Sequence, residues 1–97
     1  MGGIKTVKKL SKKYSMTPEE FIEYGSILAL RDKRRNLQIE RFEILARYKT
    51  GTVEELRKKI EDGIVTEHPA WEDLIEIKNI ESEIKEIESD IKSLQAP

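Results

Sequence analysis

The sequence predicts an all-α protein built on a long helical hairpin, with a coiled-coil-like C-terminal helix and two short helices. In the last third of the chain, apolar residues recur at alternating steps of three and four, which is the spacing of a coiled-coil seam. Two threonine–glutamate pairs stand at the spacing of helix N-caps before further apolar segments. Only five glycines and three prolines interrupt the 97 residues, so long helices are possible.

The first predicted helix, residues 1–14, is short and basic. Its apolar residues have helical spacing and its lysines fall on the opposite side; the apolar set is Ile4, Val7, Leu10 and Tyr14. The corner that follows holds a capping box, with Thr17 as the N-cap and Glu20 at the third helical position. Pro18 fits the first helical position, so a new helix is expected to begin there.

The second predicted helix is long and covers residues 18–48. Two apolar patches occur along it, separated by the polar run Arg31–Asn36. Because that run contains neither Gly nor Pro and is rich in helix-forming Arg and Lys, we expect the helix to continue through it. Gly25–Ser26 is the more probable place for a kink by composition, since Gly and Ser pairs weaken helices.

The third predicted helix is short and covers residues 53–61. Gly51 suits the left-handed position that closes the preceding helix. Thr52 and Glu55 have the spacing of a second capping box. Asp62–Gly63 then ends the helix, and an extended connector leads to Pro69.

The last predicted helix, residues 69–94, carries the apolar ladder. Its flanking positions are acidic, at Glu81, Glu83, Glu88 and Asp90. Two such helices would place like charges together, so the ladder predicts a partner helix with basic flanks, most simply elsewhere in the same chain. The candidate interaction residues are Trp71, Leu74, Ile77, Ile80, Ile84, Ile87, Ile91 and Leu94.

Length and composition limit the classes of protein that the chain can form. The net charge of −1 favours no class of partner. The absence of cysteine excludes a disulfide framework and a cysteine-based zinc site. No apolar run approaches the ~18 residues of a membrane span and no signal-peptide segment is visible, so we expect a cytoplasmic protein without membrane contact. Abundant Lys, Glu and Ile are typical of thermophiles. Narrow apolar stripes make a thin core, so we expect a homo-oligomer, in the first place a homodimer.

Catalytic chemistry is not indicated by any motif. The single histidine, His68, has no cysteine or second histidine beside it, and there is no glycine-rich phosphate loop. Carboxylates on the last helix are expected to lie on a solvated, ion-paired surface, and the Glu-x-x-His motif of a di-metal bundle site is absent. We therefore expect no enzyme activity, cofactor or metal.

A possible nucleic-acid surface comes from the basic residues. Thr6–Phe21 resembles the helix-turn-helix of many transcription factors, whose second helix enters the major groove. Here that helix begins with Glu19, Glu20 and Glu23, which a phosphate-lined groove repels. The candidate basic patch is Lys8, Lys9, Lys12, Lys13, Arg31, Lys33, Arg34 and Arg35. We expect its arginine-rich part, from Arg31 to Arg35, to pair with the acidic last helix instead.

The segments Lys13–Phe21 and Glu67–Leu74 resemble small archaeal helical proteins, some of them suspected antitoxins or partner subunits of toxin pairs. The resemblance implies a non-enzymatic protein that binds another protein, and it assigns no catalytic residue. The sequence thus predicts a non-enzymatic interaction or adaptor protein, and the more specific form of this hypothesis is an antitoxin-like protein. Two alternatives stay open: a DNA-binding regulator with a degenerate helix-turn-helix, and a purely structural self-assembling subunit.

Overall fold

A computed structural model describes residues 2–96 of the chain and confirms the all-α prediction. Between Gly2 and Ala96 it contains four α-helices and no strand. The helices are α1 (Gly2–Lys13), α2 (Pro18–Arg47), α3 (Val53–Glu61) and α4 (Glu67–Gln95). The bounds differ from the predicted ones by no more than two residues, and residue 1 of the first predicted helix lies outside the described residues.

The start of α4 contains one non-helical residue. His68 has φ −111° and ψ 120°, an extended conformation inside the helix bounds. A residue that precedes proline is pushed out of the helical region by steric contact with the proline ring. Regular helix therefore begins at Pro69, which is where the sequence placed it.

The helices α2 and α4 form an antiparallel hairpin. Three ion pairs join them, Arg34–Glu88, Arg41–Glu81 and Arg47–Asp73, so residue numbers rise along one helix as they fall along the other. The molecule measures 59 × 26 × 20 Å, with a radius of gyration of 19.5 Å. A compact domain of similar length has a radius of gyration of about 13 Å. The molecule is therefore a rod, and the hairpin sets its length.

The ladder of α4 forms the spine of the core. The larger apolar cluster joins α2, α3 and α4 at one end of the rod, and the smaller cluster joins α2 and α4 towards the other end. Leu37 of α2 packs against both. The buried ladder residues are Leu74, Ile77, Ile80, Ile87 and Ile91, with Ile84 and Leu94 half-buried. The partner helix that the ladder predicted is thus α2 of the same chain.

The polar middle of α2 is helical, as expected, and the helix also continues through Gly25–Ser26, where a kink was expected. One 30-residue helix passes through both residues. The Ser26 hydroxyl donates to the carbonyl of Ile22 at 2.8 Å, which satisfies the side chain without breaking the helix. Ile27, the next residue, is buried against Ile87 and Ile91, and this contact holds the backbone along α4.

The corner between α2 and α3 corrects two details of the prediction. Lys49, rather than Gly51, takes the left-handed conformation, with φ 56°. Its amide donates to the carbonyl of Ala46 at 3.1 Å, so the reversal closes α2 before the glycine is reached. Thr52 does accept from the amide of Glu55 at 3.1 Å, but the Glu55 carboxylate accepts from Gly51 at 3.2 Å, so the second capping box is only half formed.

The capping box at the start of α2 is complete. The amide of Glu20 donates to the Thr17 hydroxyl at 3.1 Å, and the amide of Thr17 donates to the Glu20 carboxylate at 2.9 Å. The ring centroids of Tyr14 and Phe21 lie 5.6 Å apart across this corner. The corner holds α1 against the first turns of α2.

We predict that the core depends on the ladder and not on apolar side chains of α4 in general. Ile77 is fully buried, whereas Ile75 on the same helix is 56% exposed. Ile77→Ala should lower the free energy of unfolding by about 2–5 kcal/mol, because it leaves a cavity in the cluster that joins α2, α3 and α4. Ile75→Ala, the matched control, should stay within about 0.5 kcal/mol of wild type. Urea unfolding followed by circular dichroism measures both, and equal losses would contradict this core.

Candidate interaction surface

The arginines that join the hairpin are spaced by one heptad. Arg34 and Arg41 lie seven residues apart on α2, and their partners Glu88 and Glu81 lie seven apart on α4. The Arg41 Nε atom is 2.7 Å from the Glu81 carboxylate, and Arg34 Nη1 is 3.8 Å from Glu88. Equal spacing on antiparallel helices brings both pairs into register along one flank of the seam. Arg41 was missed from the sequence, although this spacing from Arg34 could have found it.

The rest of the arginine cluster does not behave as predicted. Arg35 pairs within its own helix, with Nη2 2.7 Å from the carboxylate of Asp32. Arg31 and Lys33 make no ion pair within residues 2–96. Only Arg34 of the predicted set therefore reaches the acidic helix, because the other three side chains project from faces of α2 that α4 does not cover.

The basic residues of α1 form a separate exposed patch. The side chains of Lys8, Lys9, Lys12 and Lys13 are all exposed, and no ion pair of theirs occurs in the described part of the chain. The start of α2 next to this patch carries Glu19, Glu20 and Glu23, which are exposed as well. The structure therefore keeps the α1 lysines free in solvent but places carboxylates where a reading helix would meet DNA bases.

A polar cluster fixes the corner where α2, α3 and α4 meet. The Tyr48 hydroxyl donates to Asp73 on α4, and Arg47 Nη1 lies 3.6 Å from the same carboxylate. Lys59 of α3 donates to the carbonyl of Tyr48 at 2.8 Å. Desolvation by burial and, after it, the hydrogen bond to Asp73 together raise the pKa of Tyr48 to about 12. These contacts are structural, since they are made entirely between elements of the fold.

The predicted contact residues of α4 separate into two groups. Leu74 and the ladder are covered by α2 and α3, so in this fold they are not available as a contact surface for another chain. Trp71 remains 38% exposed and lies one turn before the exposed Ile75. His68 Nδ1 is 2.8 Å from the Glu72 carboxylate beside them. The pKa of Glu72 is lowered from its usual value, mainly because its carboxylate accepts a hydrogen bond from the Glu72 backbone amide. The hydrogen bond to His68 lowers this pKa as well.

A second apolar face runs along α2 on the side away from α4. Its exposed apolar members include Leu28 at 45%, Ile39 at 48% and Phe42 at 70% exposure. Successive members are four, three, four, three, four, three and four residues apart, which is again the spacing of a coiled-coil seam. We call this set the outer face of α2: Phe21, Gly25, Leu28, Asp32, Arg35, Ile39, Phe42 and Ala46.

The sequence does not reveal this face as a single stripe, because α2 is apolar on two sides. Residues of the two faces are interleaved along the sequence, so neither face appears as one amphipathic pattern. Ile27 and Ile44 belong to the inner face, and Leu28 and Ile39 belong to the outer face. The unbroken four–three spacing through Asp32 and Arg35 was the available signal. Two faces on one helix mean that the hairpin uses only one of them.

The surface of the described residues carries a mixture of apolar and charged side chains. Within residues 2–96 no group of three or more His, Asp or Glu side chains is arranged to hold a metal. The described helices include none that is both long and apolar enough to cross a membrane. The outer face of α2 combines apolar side chains with one acid and one base, a composition suited to packing against another helix.

The fold and this surface define a class: an all-α helical-hairpin protein with a heptad-spaced, largely apolar face on the outer side of α2. The chain belongs to the Uncharacterized protein MJ0235 family, whose family model matches residues 3–97. No curated protein and no solved structure shows a significant match to it.

We predict an alkaline loss of stability that depends on Tyr48. Because folding raises the pKa of this phenol from 10.0 to about 12, its contribution is complete below pH 10 and is lost as the pH rises towards about 12. Tyr48→Phe should cost about 1 kcal/mol at neutral pH, from the lost hydrogen bond to Asp73. It should also flatten the fall in stability between those pH values.

The matched control for this prediction is Tyr14→Phe. The Tyr14 side chain is largely exposed and makes no side-chain hydrogen bond to the described residues. Its removal should leave the pH dependence of the unfolding midpoint as in wild type. Identical pH profiles for Tyr48→Phe and wild type would contradict the proposed role of the Tyr48–Asp73 contact.

Proposed function

We propose that this chain is a non-enzymatic interaction protein, an adaptor that works by packing the outer face of α2 against a helix of another protein chain. One observation carries the proposal: α2 presents a heptad-spaced apolar seam to solvent while its opposite side is already filled by α4. Seams of this spacing are completed by a second helix. An isolated rod of this kind leaves that helix position empty.

The energetics favour occupation of the surface. Burying one large apolar side chain stabilises a contact by about 1.5–3 kcal/mol. Phe42, Ile39 and Leu28 are each about half exposed or more, so an arriving helix would remove substantial apolar area from water. Asp32 and Arg35 lie in the middle of the seam and would select partners by charge. The antitoxin-like hypothesis is a special case, in which the bound protein is a toxin.

Nucleic-acid binding is the second candidate function, and the exposed α1 lysines favour it. These side chains are free to neutralise phosphates, which gives affinity without sequence information. Base reading by α2 is disfavoured, because Glu19, Glu20 and Glu23 stand at its start. The candidate is therefore a non-specific, salt-sensitive contact made by α1 alone.

We predict that a charge on the outer face of α2 abolishes partner binding. Phe42→Glu places a carboxylate on the outer face of α2 without entering the core, because Phe42 is 70% exposed. Proteins captured stoichiometrically from nuclease-treated source-cell lysate by the tagged wild type should be lost with this variant. Ile75→Glu, at an apolar residue of α4 that is 56% exposed, is the matched control and should capture them unchanged. Loss with both variants, or with neither, would reject the assignment of the face.

We predict that any duplex binding depends on α1 and on salt. Lys8→Glu/Lys12→Glu should reduce affinity for a random-sequence duplex at low salt by tenfold or more, to about the level of no binding. Lys33→Glu/Lys78→Glu, which changes the net charge equally on the two long helices, should reduce it less. Fluorescence anisotropy over a salt series measures both, and an absence of wild-type binding at low salt would end the nucleic-acid hypothesis.

A further inference from the structure

We infer that the occupant of the outer face of α2 is the same face of a second copy of this chain, running antiparallel. The inference deepens the proposed function and rests on its assignment of that face as the working surface. In the pairing that we propose, facing residues have numbers that sum to 67, so the two-fold axis crosses the seam between Lys33 and Arg34.

Size complementarity supports this register. Leu28 of one copy faces Ile39 of the other, which pairs two branched aliphatic side chains of similar volume. Each of the two phenylalanines faces a small residue: Phe42 meets Gly25, and Phe21 meets Ala46. Large-against-small pairing allows two helices to approach closely without voids.

The space needed by Phe42 exists in the monomer. A Cβ atom built on Gly25 would have nothing within 4 Å, so the side of α2 at Gly25 is not covered by α1 or by any other described element. Glycine inside a helix costs about 1 kcal/mol relative to alanine. A requirement for room at this position in the dimer accounts for a residue that the isolated helix disfavours.

Charge complementarity supports the register independently. Asp32 of one copy faces Arg35 of the other, and the two-fold axis makes this contact twice. Within one chain the same two side chains already pair at 2.7 Å and remain 60% and 70% exposed, so they are available to a second pair of opposite charges. Four charges alternating in sign at the centre of an apolar seam fix its alignment.

The competing alignments fail on these same residues. A parallel pairing would place Asp32 against Asp32 and Arg35 against Arg35, which is repulsive. If the antiparallel pairing is shifted by one heptad, Asp32 faces Phe42; if it is shifted by one heptad in the other direction, Asp32 faces Leu28. Either shift leaves the charged side chains without partners. Of these alignments, only the one in which facing residue numbers sum to 67 pairs Asp32 with Arg35 and places the Phe42 side chain in the space beside Gly25. It also pairs each a-type position with a d-type position, as antiparallel coiled coils do.

The interface is long enough for a specific dimer. Residues 21–46 would form a seam of about 39 Å at ~1.5 Å per residue. Since α4 lies on the other side of α2, the hairpin core is unchanged by the association. The product is a four-helix arrangement of two hairpins joined through their α2 helices.

Charge reversal tests the pairing directly. Asp32→Arg and Arg35→Asp should each weaken self-association by at least about tenfold, because each puts like charges at both central contacts. An equimolar mixture of the two variants should restore association as a heterodimer, whereas each variant alone should associate more weakly at the same total concentration. In each single variant, the side chains at positions 32 and 35 of one chain also carry the same charge, and mixing the variants does not change this. Restored association in the mixture therefore reports only on contacts between chains. Sedimentation equilibrium measures the mass, with 11.3 kDa for the monomer.

Two further variants keep the test independent of folding. Asp32→Arg/Arg35→Asp in one chain should form a homodimer as wild type does, since the exchange restores every contact. Gly25→Leu should weaken the dimer while the helix content and unfolding midpoint of the monomer are maintained or raised, because the monomer has room for the side chain.

The outcomes separate this inference from the proposed function. A monomeric wild type at the highest soluble concentration, or single variants that dimerise alone as well as they do when mixed, would overturn the dimer. If Phe42→Glu nevertheless abolishes capture of a different protein, the outer face still works as an interaction surface and only the second copy is excluded. If neither association nor capture responds to changes on the face, both proposals fail.

Discussion

The antiparallel contact between α2 and α4 is the interaction on which the rest of the structure depends. Ladder isoleucines supply most of its stability, at about 1.5–3 kcal/mol for each fully buried side chain. The flanking pairs Arg34–Glu88 and Arg41–Glu81 are partly exposed, and such pairs are worth about 0–1 kcal/mol each. Their main effect is on alignment, because one heptad separates them on both helices. The apolar ladder holds the hairpin together and the charges set its direction and register.

Everything else is attached to this hairpin. The short helix α3 covers one end of the ladder, and the contacts of Tyr48, Asp73 and Lys59 secure it at the corner. The helix α1 packs only at the opposite end, through the capped corner at Thr17. A hairpin of two helices leaves each helix with an outer side. On α4 that side is mostly polar, whereas on α2 it carries a second set of heptad-spaced apolar residues that is exposed in the hairpin.

The proposed functions use different parts of the rod and are compatible. Packing through the outer face of α2 leaves the lysines of α1 and the exposed Trp71 in solvent. In the proposed two-fold dimer the two α1 helices would lie at opposite ends of the joined α2 helices, each beside the corner of the other copy. Such an assembly would carry two copies of every exposed patch. Two linked copies of a weak binding site bind a partner with two matching sites more tightly than one copy does, because the second contact forms at a high effective concentration.

The sequence by itself determined the local structure. Capping residues such as Thr17 and Thr52, the turn residue Gly63 and the ladder spacing act over a few neighbouring positions, and the helix bounds followed from them. The basic partner of the ladder could also be inferred, since acidic flanks require one. Only the tertiary structure decided which arginines meet α4, that Lys49 and not Gly51 reverses the chain, and that the second seam of α2 is left open. These depend on which side of a helix its neighbour covers. A helix with two apolar faces gives the same periodic signal for both, and only packing shows which face is buried and which remains for a partner.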